Sequence, residues 1–438
     1  MINMTGEILN SGMQLPGMRM GTPQALKGGE NHHQKAYSIR LLGTNGEPLG
    51  ASVLDAEDLG AKVRKMGWTN ICDAGTCLRT YTDMGEIYGE SDTPYFACAS
   101  KHGRNVIAAL GRTQKEALMK ALAADVNSPF GGIFGFNTPV EMETAQILDR
   151  MFIEGVIAPG YERGVPELLS DTSRIKAHAN RFILKMPYVT TADLNTLGWD
   201  VRLVGCGFIA QEYDSKPFDP AEECTLICGG NELDVLGEMV NDIGFAGNMA
   251  RHLNSNLIIY AANRALLGFG NSRGARYLAA RDGRHNMEES VWNVLTSDGS
   301  IDDWERALYD TPFRLDDFEE LPSDIALVGF SDAFYPKADA WIETVGIDRV
   351  HPDFKDGTIE CCNETIVLKR KNFNPQYNPA LITKVIVQPG GCMGDKYTIE
   401  LATRYEIPMV FTMTQEQARQ YAAGEKVTGR RFFSHQSF

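Results

Sequence analysis

Residues 97–106, ACASKHGRNV, set Lys101 and His102 side by side where a short apolar run ends. A primary amine next to the one side chain that titrates near neutrality suits proton transfer, the alternative being two polar residues that close a strand. Other stretches carry groups of chemical use. KGGENHHQ (27–34) packs Lys27, two glycines and His33 into a loop. There backbone N–H groups could approach a ligand closely and the ammonium neutralise a phosphate. The adjacent His32 and His33 lack a third ligand at useful spacing, so a polar turn is the plainer reading. SPFGGIFGFN (128–137) threads aromatics through glycines, suited either to backbone packing or to a planar ligand. GFGNSRG (268–274) spaces its glycines one residue too widely for a dinucleotide loop and follows a hairpin pattern. A turn bringing Arg273 and Arg276 to a ligand is the expectation, with ordinary surface arginines as the alternative. FSDAFYPKAD (330–339) sets Asp332 and Asp339 at a strand end, and VQPGGCMGD (387–395) is a tight turn before a helix whose N-terminus could hold an anion.

Bulk properties narrow the partners. A formal charge of −15 argues against nucleic acid and anionic membranes, both of which call for basic surface. No apolar stretch approaches the roughly 20 residues needed to cross a bilayer. The opening MINMTGEILNSGMQLPG has no apolar signal core, so a cytoplasmic protein is expected. A chain of 438 residues, 43% hydrophobic, implies more than one domain. Nine cysteines in such a length do not suggest a disulfide scaffold. Cys72 with Cys77, Cys224 with Cys228, and adjacent Cys361 and Cys362 all miss the C-x-x-C spacing of zinc sites. Reduced, mostly buried thiols and no metal are expected.

The elements that must position these groups alternate β-branched runs with helical patterns, an α/β arrangement. RTQKEALMKALAADV (112–126) reads as a helix opened by a Thr113–Glu116 capping box. GVIAPGY (155–161) and VRLVGCGFIAQ (201–211) read as strands running into loops. ELDVLGEMVNDIGFAGNMARHL (232–253) has helical spacing, and SNLIIYAANRALLGFGN (255–271) reads as a hairpin. Near the end, residues 382–412 read as a parallel strand–helix–strand unit. Ligands in such sheets gather at the carboxyl ends of strands, here 100–104, 211–214, 268–276, 331–339 and 388–391. A composition shift with Pro217 and Pro220 marks a domain boundary near 214–222, and the polar stretch 348–380 reads as an inserted excursion.

Taken in order, these motifs resemble the AICAR transformylase half of the bifunctional purine-biosynthesis family that also carries IMP cyclohydrolase. LKGGENHHQ is similar to that family's L-R-Y-G-x-N-P-H-Q, and a Lys-His pair follows as Lys101–His102 does. AADVNSPFGG resembles A-A-D-P-x-S-x-F-G-G, GVIAPGY the I-A-P segment, and NSNLIIY the family's K-S-N-A-I-V. SDAFYP, VIVQPGG and RFFSH (431–435) resemble S-D-A-F-F-P, I-I-Q-P-G-G-S and R-H-F-R-H. The resemblance covers residues 24–438, with insertions near 70–92, 348–380 and 413–428, and nothing here resembles the cyclohydrolase half.

The resemblance implies two cytidine-deaminase-like αβα domains in tandem, over 25–216 and 217–438 after a lead of 1–24. It implies a homodimer with active sites at the subunit interface, and transfer of a formyl group from 10-formyltetrahydrofolate to the 5-amine of AICAR. His102 would take the amine proton, Lys101 would stabilise the oxyanion or shuttle a proton, and Asn256 would align the reacting groups. The ribotide would meet Lys27, His33, Gly131, Glu154, Arg273, Arg276, Arg431 and Phe433. The folate would lie near Phe130, Pro336, Asp339 and Pro389. The zinc motifs H-x-E and P-C-x-x-C of related deaminases are absent from the chain, so no zinc is expected, while a potassium ion is left open.

Departures fall within the motifs. Lys27–Gly28 replaces Arg-Tyr, exchanging a bidentate phosphate fork for a point charge. Arg104 enters beside the Lys-His pair, Arg273 enters the family's G-A-G-Q loop, and Lys337 replaces an aromatic where the folate packs. Two other readings therefore stand beside the transformylase: a folate-dependent formyl or one-carbon transferase for a different amine, and a non-catalytic ribotide- or folate-binding homologue.

Overall fold

The computed structural model describes residues 18–433 except 32, 62–64, 126–127, 174–179, 205–206 and 297–325. His32 and the end of the RFFSH motif thus lie outside the described residues. The chain divides into two units: one runs to Leu118 and resumes over Ser128–Ser215, the other takes Met119–Asn127 and Lys216–Gln436.

In the first unit, β1 (Met18–Met20) pairs with β4 (Leu41–Gly43), and β2 (Gln24–Ala25) with β3 (Tyr37–Ser38). The main sheet uses β5 (Glu57–Asp58), β6 (Tyr95–Lys101), β7 (Arg104–Gly111), β8 (Ile133–Phe136), β9 (Gly155–Ala158) and β10 (Phe182–Lys185). Their order is β7-β6-β8-β9-β10-β5, with β8, β9 and β10 parallel and the other pairs antiparallel. β6 and β8 are rich in small and aromatic residues and, apart from the ends of β6, are buried on both faces, as strands covered by helices must be. The covering helix is α1 (Trp68–Tyr88), whose Ala74, Cys77, Leu78, Tyr81 and Met84 recur at helical spacing and are buried. The stretch near 70–92 is therefore core rather than surface decoration.

The 201–211 region differs from the expectation of a strand running into a loop. β11 (Trp199–Val204) and β12 (Gly207–Glu212) form an antiparallel hairpin, because Ala210 and Ile209 return to pair with Val201 and Arg202. The helix α2 (Gln114–Ala124) carries half of its expected capping box. Thr113 Oγ1 accepts the Glu116 N–H at 3.0 Å, but the Glu116 carboxylate turns to the Arg112 N–H instead, at 2.9 Å.

The second unit repeats the topology. β13 (Thr225–Cys228), α3 (Glu232–Ala250), the hairpin β14 (Ile258–Ala262)–β15 (Ala265–Gly270), α4 (Arg276–Thr296), β16 (Val328–Ser331) and α5 (Ala338–Val345) follow in turn. The excursion contributes a separate hairpin, β17 (Thr358–Cys361) with β18 (Glu364–Val367). Then β19 (Val385–Gln388), α6 (Asp395–Arg404), β20 (Met409–Phe411) and α7 (Gln415–Ala422) close the unit. Sheet order is β13-β20-β19-β16-β14-β15, with β16, β19 and β20 parallel. In each unit a hairpin is followed by an antiparallel step, a run of three parallel strands and an antiparallel edge strand. The C-terminal β19–α6–β20 unit and the 255–271 hairpin are as the sequence pattern indicates.

The glycines of GFGNSRG serve helix-on-strand packing. A Cβ at Gly268 would lie 2.4 Å from the Met287 nitrogen, and one at Gly270 would lie 2.1 Å from the Ala279 carbonyl oxygen. Both obstacles are α4 backbone, which has no rotamer by which to yield. Gly270→Ala is therefore expected to cost about 3 kcal/mol through overpacking; urea unfolding with an unchanged midpoint would contradict this.

Candidate functional site

Lys101 ends β6, and His102 with Gly103 forms the two-residue turn into β7. Both turn residues are left-handed, at φ 57° and 69°, as the tight hairpin turn requires. An aspartate on α1 holds the turn from behind. Asp73 is 5% exposed, and its Oδ1 accepts the Gly103 N–H at 2.6 Å and the Ser100 hydroxyl at 3.0 Å. The His102 N–H also bonds to this carboxylate. Burial raises the Asp73 pKa above its ordinary value, and these hydrogen bonds only partly offset the shift. With its amide spent inward, His102 is left exposed. The Lys101 ammonium donates to the Phe130 carbonyl at 2.7 Å.

Further contacts link the other expected residues of this unit. Gly131, left-handed at φ 75°, donates to the Phe152 carbonyl at 2.8 Å, and the Phe130 and Phe152 rings lie 5.1 Å apart. The Glu154 N–H returns to the Gly132 carbonyl at 2.9 Å, and its carboxylate accepts from the Asn70 amide on α1. The loop of Lys27 is tied to the start of α1: the Lys27 N–H donates to Met66 and the Trp68 N–H to Gly28, each at 3.1 Å. Lys27 and His33 are exposed on this loop. Gly131 and Glu154 precede β8 and β9, so this cluster gathers at the amino ends of parallel strands, beside the carboxyl end of antiparallel β6.

In the second unit a cleft of 390 Å³ opens at the carboxyl end of β16. Asn256, Arg276, Pro336, Asp339 and Phe433 line it, with Phe334 and Tyr277 adding apolar wall. That size and mixed lining suit a small organic ligand. Behind it, Asp332 is fully buried: its carboxylate accepts from Ser255 Oγ and Arg276 Nη1, and from the Leu257 N–H at 3.0 Å. Its carbonyl accepts the Phe432 N–H at 3.0 Å, which fixes the C-terminal segment carrying Arg431 and Phe433. Removing one partner of such a buried pair costs about 3–5 kcal/mol, so Arg276 Nη1 is committed to Asp332. Arg431 stacks over Phe334 and Phe433, with its guanidinium carbon 5.2 and 5.7 Å from the ring centres.

The remaining expected residues have other engagements. The Arg273 guanidinium pairs with Asp282 at 2.7 Å, while its carbonyl accepts the Asn256 amide at 2.7 Å. Pro389 lies in the turn after β19, its carbonyl accepting the Gly429 N–H at 3.0 Å. The anion site expected at the start of α6 is already filled. Asp395 Oδ2 accepts the N–H groups of Gly391 and Cys392 at 2.7 and 3.0 Å, so the chain's own carboxylate satisfies these donors. Sequence reasoning missed Asp73, Asn70 and Lys369. Lys369, from the excursion, also lines the cleft, where its ammonium sits 3.1 Å from Asp339 and 4.3 Å from the Tyr277 ring centre. Asp73 had one legible signal, a carboxylate on an apolar helix face.

These features define a two-unit α/β protein with a titratable pair on a hairpin turn and a cleft of mixed polar and apolar lining. The chain belongs to the AICARFT/IMPCHase bienzyme family, whose model matches residues 5–285. It is similar to the bifunctional purine biosynthesis protein PurH of Chlorobaculum parvum, 27% identical over 384 residues, covering 88% of this chain and 57% of that protein. The PurH of Caldicellulosiruptor saccharolyticus is 28% identical over 393 residues, covering 89% and 58%. That of Prochlorococcus marinus is 31% identical over 283 residues, covering 63% and 50%. The chain thus spans little more than half the length of the curated relatives it matches.

The second unit holds its hairpin turn by the same device. Asp242 on α3 accepts the N–H groups of Asn263 and Arg264 at 3.0 and 2.5 Å, and burial raises its pKa too. Replacing Asp73 by Ala should cost about 2–3 kcal/mol, because buried donors lose their acceptor. A raised folded-state pKa contributes stability that is full below the ordinary value of 3.8 and fades as pH rises through the folded value. The gap between wild type and Asp73→Ala should therefore narrow from acid toward neutral pH in urea unfolding. A gap that widens would refute the assignment.

Proposed function

We propose that this chain catalyses transfer of a formyl group from 10-formyltetrahydrofolate to the 5-amine of AICAR in purine biosynthesis. One observation carries the reading beyond family membership: His102 stands exposed on a turn whose amides are held from behind, with the Lys101 ammonium beside it. The amine lone pair attacks the formyl carbon and His102 takes the amine proton. Lys101 offers a positive charge to the tetrahedral oxyanion. As the carbon–nitrogen bond to the folate breaks, the leaving N10 receives a proton, giving tetrahydrofolate and the formylated ribotide. Asn256 aligns the amine with the formyl group, and positioning carries much of the rate because the amine is a poor nucleophile.

On this reading Lys27, His33, Gly131 and Glu154 serve the ribotide together with Arg276, Arg431 and Phe433. Phe130, Pro336, Asp339 and Pro389 serve the folate. The two units are read as the tandem cytidine-deaminase-like domains of a cytoplasmic homodimer. No helix among the described residues is long and apolar enough to span a bilayer.

A second reading, a one-carbon transferase for another amine, draws support from the cleft. Lys337 lines it, and Lys369 holds Asp339 in an ion pair there, so its charge pattern departs from an aromatic folate wall. Turnover of the purified chain with AICAR and 10-formyltetrahydrofolate, followed by tetrahydrofolate release, separates the readings. Lys101→Ala and His102→Ala should each lower kcat by about 10²–10⁴-fold. Undiminished turnover in His102→Ala would sink the mechanism. Folate binding without turnover of AICAR would favour the other acceptor.

A further inference from the structure

We propose that Cys361, Cys362 and Glu400 form a binding site for one thiophilic divalent cation of the zinc and cadmium class. The site is independent of the formyl-transfer reading. Adjacent residues of a strand point to opposite faces, so neighbouring cysteines do not ordinarily share a ligand. Here the strand stops between them. Cys361 ends β17, and Cys362 with Asn363 forms the turn into β18, both left-handed at φ 53° and 61°. Cysteine is an uncommon residue in that conformation, which favours glycine and asparagine. The turn swings the second thiol back beside the first, with the sulfurs 4.0 Å apart.

Both thiols then face one helix. Cys361 Sγ lies 3.6 Å from the Tyr397 carbonyl oxygen, and Cys362 Sγ lies 3.4 Å from that of Lys396, in the first turn of α6. One turn on, Glu400 accepts the Cys362 N–H at 2.7 Å. The two sulfurs and a Glu400 carboxylate oxygen all lie within 4.8 Å of one another. Thiolates bound about 2.3 Å from a tetrahedral ion stand about 3.8 Å apart, close to the separation already present. With every separation within 4.8 Å, the carboxylate must close by at most about 1.3 Å to meet the corresponding sulfur–oxygen edge of about 3.5 Å. It can do so by rotation, since Glu400 is half-exposed and its other partner is the flexible Arg404.

Charge is balanced locally. Two thiolates and Glu400 bring three negative charges against the ion's two positive ones. Arg404, bonded to Glu400 and to the Glu360 carbonyl, and Lys396, paired with Glu364, supply further positive charge. Without an ion the thiols keep their protons: burial pushes Cys361 up to about 12 and raises Cys362 as well. Binding therefore exchanges two S–H protons for two metal–sulfur bonds, with no change in redox state.

The test titrates the full, phosphine-reduced chain with Cd²⁺, reading thiolate-to-metal charge-transfer absorbance and proton release. Expected are one Cd²⁺ per chain, two protons released, and affinity rising about 100-fold per pH unit while both thiols are protonated. Cys362→Ser changes a partly exposed residue and should weaken binding by at least tenfold, as should Glu400→Gln. Cys392→Ser, at a thiol outside the cluster, should bind as wild type does. A Cys362→Ser titration that superimposes on wild type overturns the proposal, as does Cd²⁺ binding lost only on mutation of another cysteine.

Discussion

Each unit depends on one buried interaction: an aspartate on the helix behind the sheet accepts the two N–H groups of the central hairpin turn. In the first unit it is Asp73 against His102 and Gly103, in the second Asp242 against Asn263 and Arg264. A two-residue turn leaves its amides directed away from the strand ladder, and under a covering helix those donors need an acceptor. A carboxylate supplies several acceptor positions at one point, and the charge-assisted bonds offset much of its own burial. Because the device recurs in both units, it belongs to the scaffold. What differs is the turn's cargo, which in the first unit includes an imidazole.

In the two units the expected site residues fall at opposite edges of the same topology. In the first, expected site residues collect beside the turn, at the amino ends of β8 and β9. In the second, the cleft lies at the carboxyl end of β16, and the turn of Asn263 and Arg264 carries none of the expected site residues. There the organising group is Asp332. Its carboxylate and carbonyl together tie the Asn256 loop, the first residue of α4 and the C-terminal segment to one point. A single fully buried acceptor thus sets the positions of Asn256, Arg276, Arg431 and Phe433.

The excursion after α5 is more than a surface appendage. Arg349 pairs with Glu343, Asp348 and Glu288, and the wholly buried Arg284 donates to the Glu343, Thr344 and Leu381 carbonyls. Burial of so many charges is tolerable only because each has several partners. This packing anchors the root of the segment that delivers Lys369 to the cleft and the paired cysteines to α6.

Local patterns in the sequence determined a good part of this. Periodicity and turn chemistry were sufficient for the hairpin at 255–271 and the strand–helix–strand close, since both rest on contacts between near neighbours. The ordered motifs were sufficient for the family. What residue spacing could not express is which polar group meets which across the fold. Asp73 meets Gly103 across 30 residues and Arg276 meets Asp332 across 56, pairings set by strand order and helix packing. The same limit misdirected one expectation: the turn after β19 is a plausible anion site until Asp395 folds back onto its amides. Sequence determines which chemical groups are present and their local conformational bias; tertiary structure decides which of them are already satisfied.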